Sequence, residues 1–484
     1  MKKIHRGLVA VALLSVVLLV ACANTNGLST EASLKSASDY AAEKTLSGSA
    51  PALSVWPRND WWTTYNDPQL NVLIEEALSE SPTLRVAQAR TRKALAFAAT
   101  TQAALYPQVN GDFEVNRQRF PDHGLTPPPF NGISGTLYQL QATLDWELDV
   151  WGKNRAAYES AVDQTRAAEV DAYAARLALS VTIAQAYVQL DRAYLQLDVA
   201  QATLKEREQI YALTRERNAA GIDSRLELKQ AEAALPATRE QIEQLRETIG
   251  LTRNMLSALL GEGPDRGLAI ARPVAEVLQP VGLPSSVPAE LLGRRPDIIA
   301  QRWRVEAAQK DIAGAKAAFY PDVNLVGLIG LQSFGPAGFL SAASRMMGFG
   351  PAVTLPIFEG GRLRGNLAGT NADYDIAVEQ YNQLLADALR DIVDQLTSLA
   401  SVDAQHREQA QALADAQEAY DLALLRYRQG IGNYLQVLSA ESPLLVQQGL
   451  EADLRARDLE ISVGLVRALG GGFTAPVTPV AVAR

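Results

Sequence analysis

Cysteine is almost absent from this chain: its 484 residues contain one, Cys22. No disulfide can form within one chain, and no cysteine cluster can hold a metal. Histidine is nearly as scarce. His5, His123 and His406 are scattered at no metal-ligand spacing, so no metal site is expected. Beyond residue 20 no apolar run comes near the roughly 18 residues of a membrane-spanning helix. If the chain crosses a membrane, it must do so as a β-barrel. Signatures of catalysis are missing too. Gly152-Lys153 lacks the upstream glycine of a phosphate-binding loop, and there is no Gly-x-Ser-x-Gly elbow. Glu262 and Asp265 sit in a Gly-Pro stretch that reads as a loop between halves. Positive charge is in deficit, with 45 Lys+Arg against 54 Asp+Glu. That argues against a nucleic-acid partner, which would want a basic surface. Neither an enzyme nor a cofactor is expected.

What is present begins at the first residues. Lys2, Lys3 and Arg6 precede an apolar run, Leu8 to Val20, broken only by Ser15. This has the form of a secretory signal peptide. It runs into Leu19-Val20-Ala21-Cys22, which looks like a bacterial lipobox. Residues 1–21 would then be removed, and Cys22 would carry lipid on its sulfur and an acyl chain such as palmitate on its amine. Each buried methylene contributes roughly 0.8 kcal/mol, so several chains make a lasting anchor. Ala23, rather than Asp, fits sorting to the outer membrane. Without the leader's three cations the net charge is near −12.

The chain also matches itself. Ala104-Leu105-Tyr106-Pro107-Gln108-Val109-Asn110 resembles Ala318-Phe319-Tyr320-Pro321-Asp322-Val323-Asn324, an offset of 214. Pro82 with Pro296 and Arg90 with Arg304 share that offset. Trp151-Gly152-Lys153-Asn154-Arg155 then resembles Gly360-Gly361-Arg362-Leu363-Arg364 at 209, as do Gly221-Ile222 with Gly430-Ile431 and Ala231-Glu232 with Ala440-Glu441. We read this as a duplicated half whose copies differ in length between the two sets of landmarks.

Each half has one internal order. A helix rich in Ala, Arg and Gln covers Ser81–Leu105, and again Arg295–Phe319. Each is stopped by a Tyr-Pro. The hydrophobic period then changes from 3.6 to 2. Val109, Gly111, Phe113 and Val115 alternate with Asn110, Asp112, Glu114 and Asn116. Leu140 to Val150 alternate with Gln139 to Asp149, and Val323–Leu331 and Met347–Ile357 follow in the second half. These are two hairpins, with long loops rich in Pro, Gly and Ser at 121–135 and 333–345. Strands of about 10–14 residues suit a membrane barrel; the bland alternative is the edge of a soluble sandwich. Helix resumes at Asn154–Ala220, without Pro or Gly, and at Arg364–Gln429. At about 1.5 Å per residue each would run about 100 Å, too long for one compact domain. Turns at Gly221 and Gly430 lead into return helices Arg225–Leu260 and Tyr434–Leu469. A plain adhesive or signalling coiled coil would not need the hairpins. Four strands cannot close a barrel, since single-chain barrels begin at about 8. The open edges ask for an oligomer.

The expected division is therefore a signal peptide (1–21), a lipid-anchored segment (22–80) and a first repeat (81–265; hairpin 107–150, helix pair 154–260). A linker follows (266–293), then a second repeat (294–470; hairpin 321–358, helix pair 364–469) and a tail (471–484).

Several motifs, in order, carry a family resemblance. They are Trp56, Trp61-Trp62, Asp67-Pro68 and Leu70; Arg294-Arg295-Pro296-Asp297-Ile298; both Tyr-Pro stops; Trp151-Gly152-Lys153-Asn154-Arg155; Arg426-Tyr427-Arg428-Gln429-Gly430; and Val466-Arg467-Ala468-Leu469-Gly470-Gly471-Gly472. The mature chain resembles the outer-membrane factor family of tripartite efflux pumps: TolC-like channels, in the lipid-anchored OprM/NodT-type branch. The resemblance implies a mainly α fold with membrane β. Long antiparallel helices would form a trimeric α-barrel tunnel, and four strands per chain would complete a 12-stranded transmembrane barrel. It implies a passive outer-membrane duct for drugs or other small molecules. The duct would be opened by a periplasmic adaptor (membrane fusion protein) and fed by an inner-membrane proton-driven (RND) transporter. A type I protein-secretion or metal-efflux duct would use the same architecture.

The resemblance also places a gate at the two helix turns, with Asp223, Arg225, Glu227, Arg426, Tyr427, Arg428, Tyr434, Gln436 and Ser439. Tyr427 matches a gate tyrosine. Gln436 and Ser439 stand where TolC-type channels carry an acidic ring, so the pattern is broken there. Asp223 and Glu227, facing Arg426 or Arg428, are expected to make closing ion pairs. If the apolar strand positions face lipid, Asp112, Glu114, Asp145, Glu147 and Asp149 face the barrel lumen and favour cations modestly. The alternative puts 145–149 at the rim.

Overall fold

The computed structural model describes residues 25–41 apart from 26, 37 and 38, then 56–123, 128, 131–274 and 293–474. Cys22, much of the expected linker and most of the tail lie outside the described residues.

The two halves share one run of elements, a 22-residue helix, a β-hairpin and a pair of long helices. In the first, α1 is Pro68–Glu80 and α2 Pro82–Ala103. Strands β1 (Gln108–Arg119) and β2 (Ser134–Leu148) follow, then α3 (Lys153–Ala219), α4 (Arg225–Leu260) and the short α5 (Pro264–Leu268). The second half holds α6 (Pro296–Ala317), β3 (Asp322–Phe334), β4 (Arg345–Thr354), α7 (Arg362–Arg428) and α8 (Tyr434–Ala468). Helices α2 and α6 have 22 residues each, and α3 and α7 have 67 each. The copies differ in the hairpins, where β2 has 15 residues and β4 has 10. Two elements go beyond the sequence reading. The segment 22–80 contains a 3-10 helix, Trp61–Tyr65, and α1. Asp67 caps α1 by accepting from the Gln69 and Leu70 amides, and Leu70, Leu73, Ile74 and Ala77 bury one face of it. The Gly-Pro stretch read as a loop forms α5, with Pro264 in its first turn.

Contacts divide the chain into two compact units. The first is residues 1–34, 90–168 and 300–381. It holds the sheet, whose order is β1-β2-β3-β4 with every neighbour antiparallel. One apolar cluster in it joins Ile312, Ala315, Phe319 and Leu367, with Leu28, Leu363 and Tyr374 against them. Residues 27–36 lie along α7, where the Asp375 carboxylate accepts from the Glu31 and Ala32 amides.

The second unit is residues 35–89, 169–299 and 382–484. Its main cluster joins Trp61, Trp62, Leu73 and Ile74 to Ile183, Tyr187 and Leu190 of α3, Leu256 and Leu260 of α4, and Leu459 and Val463 of α8. Hydrogen bonds fix the helix order here. Arg253 of α4 donates to Tyr194 of α3, Arg192 of α3 to Asp453 of α8, and His406 of α7 meets Asp458 of α8. Among the described residues no helix is long and apolar enough to cross a membrane.

Candidate functional site

The sheet of the first unit has two unlike faces. Val109, Phe113 and Val115 of β1 share one face with Leu144, Leu140 and Tyr138 of β2, Ile329 and Leu331 of β3, and Met347 and Phe349 of β4. That face is exposed: Val109 is 69%, Met347 78% and Phe349 73% accessible. The other carries Asn110, Asp112, Glu114 and Asn116 opposite Thr143, Gln141, Gln139 and Leu137. Rings cluster at both ends of the strands. Phe339 packs on Phe113 and Tyr138, while Trp151 stacks on Tyr320 at 4.7 Å. Among the described residues neither β1 nor β4 has a partner on its outer side.

The five acids assigned to a lumen divide. Asp112, Glu114 and Asp145 lie on the polar face, opposite Gln141, Gln139 and Gln108. Glu147 shares that face but is bound by Lys153 at 2.7 Å, which also reaches Asp322 at 3.0 Å. Asp149 departs from expectation. It lies past the end of β2, and its carboxylate accepts from the Asn154 and Arg155 amides at 3.0 and 2.7 Å, holding the first turn of α3. The free amides at a helix start take that charge.

The turn between α3 and α4, in the second unit, is built around one carboxylate. Gly221 takes a φ of 75°, open to glycine at little cost, and the chain reverses. Asp223 then points inward. Arg217 donates to it from Nε at 2.9 Å and Nη2 at 3.1 Å, and the Tyr427 hydroxyl donates at 2.6 Å. The Arg217 guanidinium also lies 4.6 Å from the Tyr427 ring centroid and donates to the Tyr427 carbonyl. Thr214 completes the group, 2.7 Å from the Tyr427 hydroxyl. Side chains of Arg217 and Asp223 are 11% and 4% exposed. Burial, the largest influence on Asp223, pushes its carboxyl up. The hydrogen bonds from Arg217 and Tyr427 and the Arg217 charge outweigh it, so the group sits below its ordinary value. Burial, then the Asp223 contact, pushes the Tyr427 hydroxyl up to about 12. Beneath lie Ile210, Tyr420, Tyr434 and Val437, and a bidentate pair between Arg207 and Glu441.

The expected ion-pair partners therefore change. Asp223 is taken by Arg217 and Tyr427 rather than by Arg426 or Arg428. Glu227 closes a capping box with Ser224. Arg225, Arg426, Arg428, Gln436 and Ser439 are exposed, while Tyr434 is buried. In the second turn Asn433 caps α8 through the Gln436 amide. Arg217 and Thr214 were not singled out in the sequence. A signal existed for Arg217, which stands at the repeat position of Arg426.

The outer membrane efflux protein family model matches residues 73–262 and again 287–471, once in each repeat. This chain belongs to that family. It is 42% identical over 322 residues to a fusaric acid resistance protein, FusA, of Burkholderia cepacia, a match covering 66% of this chain and 60% of that one. It is 33% identical over 434 residues to the multidrug resistance outer membrane protein MdtP of Escherichia coli K12, covering 88% of both. Among solved structures, the outer membrane protein VceC of Vibrio cholerae superposes with a TM-score of 0.81 at 37% identity, over 86% of this chain and all of that one. Like its relatives, this outer membrane efflux protein serves as the outer-membrane channel of an efflux system.

Proposed function

We propose that three copies of this chain assemble into one duct, their twelve strands closing a barrel through the outer membrane and their long helices forming a tunnel in the periplasm. The observation that carries this reading is the sheet. It has one apolar exposed face, an opposite face that is polar on β1 and β2, and two edges, β1 and β4, without a partner among the described residues. Such edges are not stable in a bilayer unless paired, and pairing β4 of one copy with β1 of the next removes them all. The rings at both strand ends suit the two membrane interfaces.

The duct would be passive. Asp112, Glu114 and Asp145 would line the barrel interior. The turns at 220–224 and 429–433 would form the closed periplasmic end, released by an adaptor and fed by a proton-driven inner-membrane transporter. Lipid on Cys22 would hold each copy in the membrane. The names of FusA and MdtP point to drugs and small organic acids as cargo. Oxidative crosslinking tests the assembly: cysteines are scanned along β1 against Met347→Cys on β4. A ladder ending at three linked chains is expected, and one ending at two overturns the trimer. Dye and antibiotic accumulation in a deletion strain, with and without the gene, tests the export role. Unchanged accumulation across the panel would move the cargo to protein or metal.

A further inference from the structure

Two of the buried carboxylates of the second unit, Asp67 and Asp191, have sharply different surroundings. Asp67, fully buried, accepts four hydrogen bonds: from the Gln69 and Leu70 amides, the Tyr187 hydroxyl at 2.7 Å and the Val274 amide at 2.9 Å. Asp191 of α3 is 3% exposed, and its Oδ2 accepts none. The nearest guanidinium, Arg455 Nε of α8, stands at 3.8 Å, beyond hydrogen-bond reach. The other charged or titratable groups facing it are Arg272, in the segment after α5, and Asp67, with Asp198 and Tyr187 on its own helix. Arg272 is itself drawn off by Asp198 at 2.6 Å.

A buried carboxylate with an oxygen that no donor reaches is costly when charged and much less so when protonated. Burial is the largest influence here and pushes Asp191 up. Arg455 and Arg272 pull it down, Asp67 and Asp198 push it up again, and the group ends above its ordinary value. Its place gives this a consequence. Asp191 meets α8 at Arg455, and its neighbours along α3 join the same two helices: Gln189 with Glu460, and Arg192 and Gln196 with Asp453.

We propose that Asp191 is a proton-operated lock in the α3–α8 seam. Protonated in mild acid, it lets the seam close. Charged at neutral pH, it leaves an uncompensated buried charge that loosens the seam. The sign follows from linkage. A carboxyl raised in the folded chain favours folding at low pH, and that contribution is lost as pH rises through the folded value.

Thermal melting of the full-length protein tests this, comparing wild type with Asp191→Asn from about pH 4.5 to about pH 7.5. The variant is expected to melt a few degrees higher at about pH 7.5, with the difference closing toward about pH 4.5. A difference constant with pH, or a variant that melts lower at about pH 7.5, overturns the proposal. Arg455→Gln gives a second reading that does not depend on the first variant folding. Removing the nearest cation should lower the melting point at about pH 7.5 and leave it unchanged in acid. A pH-independent loss would assign Arg455 and Asp191 a packing role only.

Discussion

The turn at 220–224 and the turn at 429–433 occupy equivalent places in the repeat but are closed by different means. In the first, Asp223 gathers Arg217 and Tyr427 into a buried clasp. In the second, Gly432 stands where Asp223 stands in the first, and its Arg426 is exposed. The clasp also borrows Tyr427 from the end of α7, so the first turn holds the helix that leads into the second. One turn is thus a lock and the other a mostly solvated rim. A duplicated hairpin needs only one clasp if that clasp reaches across both copies.

The sharpest way to break this comparison is Asp223→Ala. It strands a buried guanidinium, so a loss on the order of 3–5 kcal/mol is expected, read by denaturant unfolding with proteolysis at the turn. A loss comparable to that of a surface substitution would remove the distinction between the turns. Tyr427→Phe deletes only the hydroxyl that donates to the charged Asp223. About 1.5–3 kcal/mol is expected, with the ring still packed on Arg217. The reverse experiment is Gly432→Asp. A Cβ there would meet Gln436 Oε1 at 3.0 Å and the Arg426 carbonyl carbon at 3.3 Å. Crowding should therefore cost about 1–3 kcal/mol instead of building a second clasp; a stabilised variant would show that the second turn has room for one.

Acid sharpens the comparison further. Asp223 lies below its ordinary value, so its contribution is present above the unfolded value, about 3.9, and fades as pH falls through the lower folded value. Stability of the first turn should hold at mildly acidic pH and drop only in stronger acid, and Asp223→Asn should lack that drop. Asp191 has the opposite sign, so melting curves of the two variants should diverge in opposite directions. The smallest effects are expected at Arg426→Ala and Ser439→Ala. Both residues are exposed, and stability should change by no more than about 0.5 kcal/mol. Any large change in drug resistance from them would then report on the proposed adaptor contact rather than on folding.

Much of this fold was legible in the chain itself. Offsets of 214 and 209 between matched motifs are the offsets between α2 and α6 and between α3 and α7. Return helix α4 begins and ends at the expected residues, Arg225 and Leu260. The alternation along β1 and β2 is the two-faced pattern of the sheet. Helix α1 escaped notice because it has 13 residues and followed motifs read only as markers. In the candidate turn, Asp223 and Tyr427 were visible as residues but not as partners. The run Gly470-Gly471-Gly472 was visible too, but not its cause: added side chains there would strike Arg294, Leu177 and Arg58.

Periodicity and repeat spacing act over local stretches, so the sequence by itself determined the long helices, the two hairpins and their order along the chain. It also determined the alternation that gives β1 and β2 two unlike faces. Side-chain partnerships join residues far apart in the chain, as Tyr427 joins Asp223 across 204 positions. Only the tertiary structure decided that Asp223 meets Arg217, that Asp149 caps a helix, and that Asp67 is fully bonded while Asp191 is not. Which donors reach a carboxylate depends on how the helices pack, and no local pattern records that.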